Sequence, residues 1–306
     1  MEATGTTHKR KSFGKALLIF LLGAGLLAAL GTGVSSLLPG SVTGAGEKLA
    51  LVEVSGPIGD SSEIVRQLAM YRRDEGIRGI ILRIDSPGGA VAPSQEIYDE
   101  VVKARESGKL IYASLGNTAA SGGYYIASPA DRIFANPGTL TGSIGVIMAF
   151  SNIEELIGKI GLRPEVIKGG KFKDTGSPVR AMSVEERKLL QDVVDDVHKQ
   201  FIEAVAKGRN MDIREIEKIA DGRILTGRQA YDLKLVDELG GLEKTTEQLA
   251  EKLDITGLPK IIQEKKPINF LQLLMESSIS KFISQSITLP FSPSLQYLLP
   301  LNLRQG

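Results

Sequence analysis

From residue 48 onward, short apolar, β-branched runs alternate with amphipathic ones, and this alternation constrains the fold more than any other feature. Leu49-Ala50-Leu51-Val52-Glu53-Val54 has a strand pattern that stops at Ser55-Gly56-Pro57. A helical pattern follows over 61–73, with Ile64, Leu68 and Tyr71 on one face and Arg66 and Arg73 on the other. A second strand over 79–84 runs into Asp85-Ser86-Pro87-Gly88-Gly89-Ala90, a turn that leads to a helix over about 94–107. Residues 110–114 read as a third buried strand. This order predicts an α/β fold of βαβ crossovers on a mainly parallel sheet, with active groups at the carboxyl ends of the strands. Both Gly88-Gly89 and Ser121 follow such ends.

Downstream, 132–135 and 144–149 read as short strands, 153–160 as a helix, and the stretch near 164–168 as another strand. A loop with three lysines follows, Lys168-Gly169-Gly170-Lys171-Phe172-Lys173-Asp174-Thr175-Gly176-Ser177-Pro178. Ser183-Val184-Glu185-Glu186 has capping-box spacing and opens a long amphipathic helix to about 209. Shorter helices are expected over 213–220, 227–233 and 242–253. No internal repeat is present, so residues 48–255 form one copy of one catalytic unit.

The ends differ from this body. Residues 16–34 are nineteen positions without a charge, preceded by His8-Lys9-Arg10-Lys11. That length spans a bilayer core as one helix, with the basic tail 1–15 held in the cytoplasm. A cleaved secretory signal is the competing reading. No small-x-small cleavage site stands out, so a retained anchor, with the body outside the cytoplasm, is preferred. Gly, Ser and Pro make 35–47 a linker. Residues 256–306 carry an apolar face from Phe270, Leu273, Leu274, Ile279, Phe282 and Ile283, suited to docking on the body, a membrane surface or another subunit. Net charge is only +1 and the chain after residue 15 has 33 basic against 35 acidic residues, so nothing in its field recruits nucleic acid. The absence of cysteine excludes a thiol nucleophile, disulfides and thiolate-held metal; no metal or cofactor is called for.

The chemistry centres on Asn117-Thr118-Ala119-Ala120-Ser121-Gly122-Gly123-Tyr124-Tyr125. A serine between a strand and a short helix, among small residues, lets a backbone approach a ligand closely, yet on this stretch alone a helix N-cap is the commoner job for it. As a nucleophile it requires a base. The two histidines do not serve: His8 precedes the membrane segment, and His198 lies on a helix beside Asp195, Asp196 and Lys199. A Ser-His-Asp triad is thereby excluded, leaving a lysine or a carboxylate. A lysine base must be neutral near pH 7 although its reference value is about 10.4; the difference is about 4 kcal/mol, which burial in an apolar site supplies. Lys168, Lys171 and Lys173 are the candidates, and pattern alone does not choose among them. Backbone N–H groups at Gly88-Gly89 and Gly122 would hold an oxyanion, although paired glycines after a strand also serve as ordinary turns.

Asp85-Ser86-Pro87-Gly88-Gly89, Thr118-Ala119-Ala120-Ser121-Gly122-Gly123-Tyr124-Tyr125, Thr139-Leu140-Thr141-Gly142-Ser143-Ile144-Gly145-Val146 and Lys173-Asp174 resemble the short, single-repeat form of signal peptide peptidase A. So does Leu225-Thr226-Gly227-Arg228-Gln229-Ala230 through Leu235-Val236-Asp237. Members of that family are membrane-anchored bacterial serine–lysine peptidases. The resemblance, which runs from about 49 to 242, implies a fold similar to Clp protease and crotonase, built of repeated ββα units. It implies Ser121 as nucleophile, Lys173 as general base, Ser143 as the hydroxyl that orients the lysine, and Gly89 and Gly122 as oxyanion donors. It also implies ring-shaped homo-oligomers and, as substrates, remnant signal peptides cut in their apolar cores. Two other readings remain to be weighed: a crotonase-like acyl-CoA enzyme, and a membrane-tethered scaffold that holds apolar peptides without cutting them.

Overall fold

The computed structural model describes residues 48–264 and the strand Gln296–Leu298, all within one compact unit, Glu47–Gly306. The charge-free stretch 16–34, the linker 35–47 and the apolar face beyond residue 264 lie outside the described residues. No described helix is long and apolar enough to cross a membrane.

Apolar runs build the centre of the sheet. β1 (Lys48–Ser55), β2 (Ile77–Ser86) and, after the short β3 (Gly88–Ala90), β4 (Leu110–Ala120) carry it. β2 lies between the other two, parallel to both, with Ile80 opposite Ala50 on one side and Ile111 on the other. Successive side chains enter opposite faces. Ala50, Val52, Ile80, Leu82, Ile84, Ile111, Ala113 and Leu115 enter one core. The helices α1 (Ser62–Arg73), α2 (Val91–Glu106), α3 (Gly122–Ala127) and the long α5 (Val184–Arg209) cover it through Leu68, Ile97, Tyr124 and Phe201. Leu49, Leu51, Ile81, Tyr112 and Phe134 enter the other core, closed by Leu249 and Ala250 of α8 (Leu242–Lys252). Burial on both faces is why these strands read as unbroken apolar runs.

β4 is long enough to have two successive neighbours. Tyr112–Leu115 pair with β5 (Arg132–Ala135), and Thr118–Ala120 pair with β6 (Leu140–Gly142), both parallel. β7 (Ile224–Thr226) runs antiparallel to β6, β8 (Glu238–Leu239) extends β5, and β9 (Lys260–Ile262) adds to β1. The result is a mixed eight-stranded sheet. Apart from it, β10 (Gln296–Leu298) pairs antiparallel with β3. Three short helices complete the body: α4 (Glu154–Lys159), α6 (Ile213–Glu217) and α7 (Gly227–Asp232).

Two expected strands do not form. Beyond β6 the backbone turns through Gly142 (φ 71°) and Ser143 (φ 51°), which carries 144–149 away from the edge of β4. Residues 164–168 are exposed and form no strand. The chain from 144 to 182 is instead an arm, held where Ile153 N–H donates to Pro178 O at 2.7 Å and the Phe150 ring abuts Gly176.

α3 is fixed from within. Tyr124 is fully buried and its hydroxyl donates to Leu235 O at 2.7 Å, a burial that pushes its pKa up and keeps the phenol neutral. Tyr124→Phe leaves that carbonyl without its partner, and a loss of about 1–2 kcal/mol in denaturant unfolding is expected.

Candidate active site

Ser121 leaves β4 at the level of Gly142: Ala120 is the partner of Gly142, and Ser121 N–H donates to Gly142 O at 2.8 Å. Its backbone stands at φ 53°, ψ −118°. That conformation suits glycine and costs a residue with a side chain on the order of 1–3 kcal/mol. It produces a sharp strand-to-helix turn of the kind that presents nucleophiles in other hydrolases. Ser121 is 1% exposed, and its Oγ has no hydrogen-bond partner among the described residues. The hydroxyl does not cap α3, so the ordinary N-cap role is not the one it plays here. A buried hydroxyl left unpaired costs about 1–3 kcal/mol. Two local costs thus converge on one side chain.

The glycine turn is held against this residue from three directions. Ser86, fully buried, accepts Gly88 N–H on its Oγ at 3.1 Å. Ile58 N–H donates to Gly88 O at 2.9 Å, and Ile58 O accepts Ala90 N–H at 2.7 Å. Ser94 Oγ donates to Ala90 O at 2.8 Å. Adjacent residues of a strand direct their backbone groups to opposite sides, so Gly89 N–H faces away from Ile58. On that other side β10 is paired, with Tyr297 opposite Gly89. A Cβ on Gly122 would lie 3.2 Å from Gly89 N and 2.8 Å from Ser94 Oγ. The two glycines therefore touch, and the first N–H groups of α3 have no acceptor within the helix.

Ser143 follows Gly142 and is 4% exposed; its N–H donates to Arg223 O at 2.8 Å. Ser121 and Ser143 thus leave neighbouring strands at the same level. The fold brings Ser121, Gly89, Gly122 and Ser143 to one place. Lys173 stands elsewhere, exposed on a turn of the arm, 171–176. Since Ser121 Oγ is unpartnered, Lys173 does not hydrogen-bond it within the chain.

The three lysines differ in their company. Lys168 is paired with Asp174, and Lys171 with Glu185. Among the described residues, Lys173 Nζ has no ion pair or side-chain hydrogen bond. His198 is half-buried on α5 rather than fully solvated, and its Nε2 has no partner either, so it is not bonded to Ser121. Lysine remains the group to consider.

The loop that bears Lys173 is tied to α5. Arg180 Nε donates to Asp174 Oδ2 at 2.8 Å and Nη1 to Glu186 Oε2 at 2.9 Å. Hydrogen bonds from Arg180 hold both carboxyls well below the usual carboxylate range, reinforced at Asp174 by Lys168 and at Glu186 by Ser183. A depressed pKa stabilises above about pH 4 and the contribution is lost only as pH falls further through the folded value. The tie therefore persists at neutral pH. Sequence patterning does not reach Ile58, Ser86, Ser94 or Arg180, because each acts through backbone or ion-pair geometry; only the Ser183–Glu186 capping box announces part of this network.

Comparison with known proteins agrees with this architecture. Residues 103–256 match the model of peptidase family S49, and residues 48–138 match that of Clp protease. A Synechocystis sp. protein named as a protease, slr0021, is 42% identical over 228 residues, covering 72% of this chain and 81% of that protein. An Enterococcus faecium protein named as signal peptide peptidase SppA is 35% identical over 249 residues, 77% of this chain and 72% of its own length. Protease 4 of Salmonella typhi is 32% identical over 253 residues, 79% of this chain but 41% of that longer protein.

Proposed function

Because the chain belongs to peptidase family S49, with an α/β fold that contains a Clp protease-like domain, we propose that it is a membrane-anchored serine endopeptidase working through a Ser121–Lys173 dyad. The observation that carries this reading is Ser121: a buried, unpaired hydroxyl in a conformation that favours glycine, followed by Gly122, which packs against Gly89.

In this mechanism neutral Lys173 Nζ takes the Ser121 proton as Oγ attacks the peptide carbonyl. The tetrahedral oxyanion is held by Gly89 and Gly122 N–H, each donor contributing on the order of 10²–10³ in rate. The lysine ammonium then protonates the leaving amine, and water, deprotonated by the same lysine, hydrolyses the acyl-serine. Ser143 orients Nζ. Lys168 and Lys171 are each engaged by a carboxylate, which supports Lys173 as the base. The pairing of β10 with Gly88–Ala90 supports a substrate that lies as an extended strand along this edge. The name of the Enterococcus relative and the charge-free stretch 16–34 behind a basic cluster support released signal peptides, cut near the outer face of the inner membrane. Because Ser121 and Lys173 are unjoined within one chain, a neighbouring copy in a ring-shaped homo-oligomer would bring them together.

A quenched apolar peptide tests this. Ser121→Ala and Lys173→Met are each expected to lose turnover by on the order of 10⁴-fold or more. A mixture of the two variants should regain activity if the dyad closes between copies. Full turnover by either variant alone overturns the role given to that residue.

A further inference from the structure

Arg180 stands outside every motif named above, yet it is the hub of the segment that bears Lys173. Its guanidinium bridges two carboxylates: Nε donates to Asp174 Oδ2 at 2.8 Å, while Nη1 donates to Glu186 Oε2 at 2.9 Å. Nη2 adds Asp174 O at 3.1 Å and also pairs with Glu186 Oε1. The residue immediately after Lys173 is thus held by both side chain and backbone. Asp174 O also accepts Ser177 N–H at 3.1 Å, and Lys173 N–H donates to Gly170 O at 3.3 Å.

The other end of the bridge is rigid. Glu186 is 4% exposed and belongs to the first turn of α5, where its Oε2 accepts Ser183 N–H at 2.8 Å and its N–H donates to Ser183 Oγ at 3.2 Å. Thr175 Oγ1 adds a hydrogen bond to Glu186 Oε1 at 3.2 Å, fastening the turn from its far side. Further along, α5 buries Val197, Phe201, Ile202 and Val205. Phe201 stacks edge-on to Tyr125 of α3, with ring centroids 5.0 Å apart, four residues beyond Ser121. One continuous set of contacts therefore runs from the helix behind Ser121, along α5, through Glu186 and Arg180, to Asp174 beside Lys173.

Asp174 is matched by Arg180 on one oxygen and by Lys168 on the other. Of the remaining charged groups near this turn, Lys171 is satisfied by Glu185, and Glu186 by Arg180.

We propose that Arg180 is a positioning residue for Lys173: by clamping Asp174 to Glu186 it sets where the lysine is presented. This rests on the reading of Lys173 as the general base. Only a planar fork makes both pairs at once, so lysine is not an equivalent substitute.

The test uses the full-length protein and the quenched apolar peptide, with Arg180→Met, Arg180→Lys, Arg180→Ala and Lys173→Met compared side by side. Arg180→Met is expected to lower kcat about 10- to 100-fold, the effect of a misplacement near 1 Å, with KM within about twofold. Arg180→Lys, which folds with one pair kept, should fall between Met and the native residue. Added methylguanidinium should restore part of kcat to Arg180→Ala, a response that a loss of stability alone would not give. If Lys173→Met is inactive but Arg180→Met and Arg180→Lys keep native kcat, the positioning role is overturned and the dyad stands. The role is equally overturned if kcat and KM worsen together, the melting point falls and methylguanidinium restores nothing. Activity in Lys173→Met overturns the dyad itself.

Discussion

Ser121→Ala and Ser121→Gly are both expected to abolish peptide hydrolysis, by on the order of 10⁴-fold or more, while differing in stability in a direction that a purely structural serine would not produce. At φ 53°, ψ −118° the backbone of Ser121 lies where glycine is at ease and alanine is not. The hydroxyl that is removed had no partner to lose. Ser121→Gly should therefore unfold at a higher temperature than the native protein, by about 2–4 °C for each kcal/mol relieved in a domain of this size. Ser121→Ala keeps the backbone cost and should gain less. A gain in stability coupled to complete loss of turnover is what a site strained for function predicts. If Ser121→Gly melted lower than the native protein, the strain described here would have no energetic meaning.

The second large effect is expected at Gly89. A Cβ there would lie 2.1 Å from Ile58 O and 2.6 Å from Ile58 C and N, all backbone atoms that have no rotamer to change. Either β3 moves away from Ile58, breaking the bonds from Ile58 N to Gly88 O and from Ala90 N to Ile58 O, or the loop before α1 is displaced. Gly89→Ala should cost about 1–3 kcal/mol of stability, the usual penalty for overpacking. It should also cost on the order of 10²–10³ in kcat, because the N–H at the oxyanion position is no longer aimed. Gly138→Ala is the control: nothing lies within 4 Å of the added carbon, so stability and kcat should be unchanged. Equal behaviour of the two variants would contradict the clamp at Ile58.

Why the sequence was legible in some places and not in others follows from the same physics. β1 and β2 are foreseeable as apolar runs buried on both faces, and α1 and α5 because their apolar residues repeat with the helical period and meet a core on one face. β4 extends to Ala120, six residues past the 110–114 run, although Gly116, Asn117 and Thr118 carry no strand pattern. There tertiary pairing overrides propensity: Ser86 pairs with Ala119, Thr118 with Leu140, and Asp85 Oδ1 accepts Thr118 N–H at 3.0 Å. The opposite error arises at 144–149, an apolar run with strand character that has left the sheet edge after Gly142 and Ser143 turn at positive φ. A good pattern without an adjacent edge does not make a strand.

At the site, residue types were readable and conformations were not. Small residues around Ser121 signal close approach, but nothing in the letters says that its Oγ is buried and unpaired. Three lysines within six positions are equivalent as pattern; the partners of Lys168 and Lys171 distinguish them only in three dimensions. Arg180 is six residues from both Asp174 and Glu186, a spacing that suggests nothing until the arm folds back on α5.

Whether Lys173 makes Ser121 nucleophilic is read by covalent labelling of the full-length protein with a serine-directed acylating probe, followed by peptide mass mapping. A single acyl adduct is expected on Ser121 in the native protein, none on Ser121→Ala, and little or none at Ser121 when Lys173 is replaced by Met. Labelling of Ser121 at the native rate in Lys173→Met, or an adduct on another serine that survives Ser121→Ala, would contradict the Ser121–Lys173 dyad.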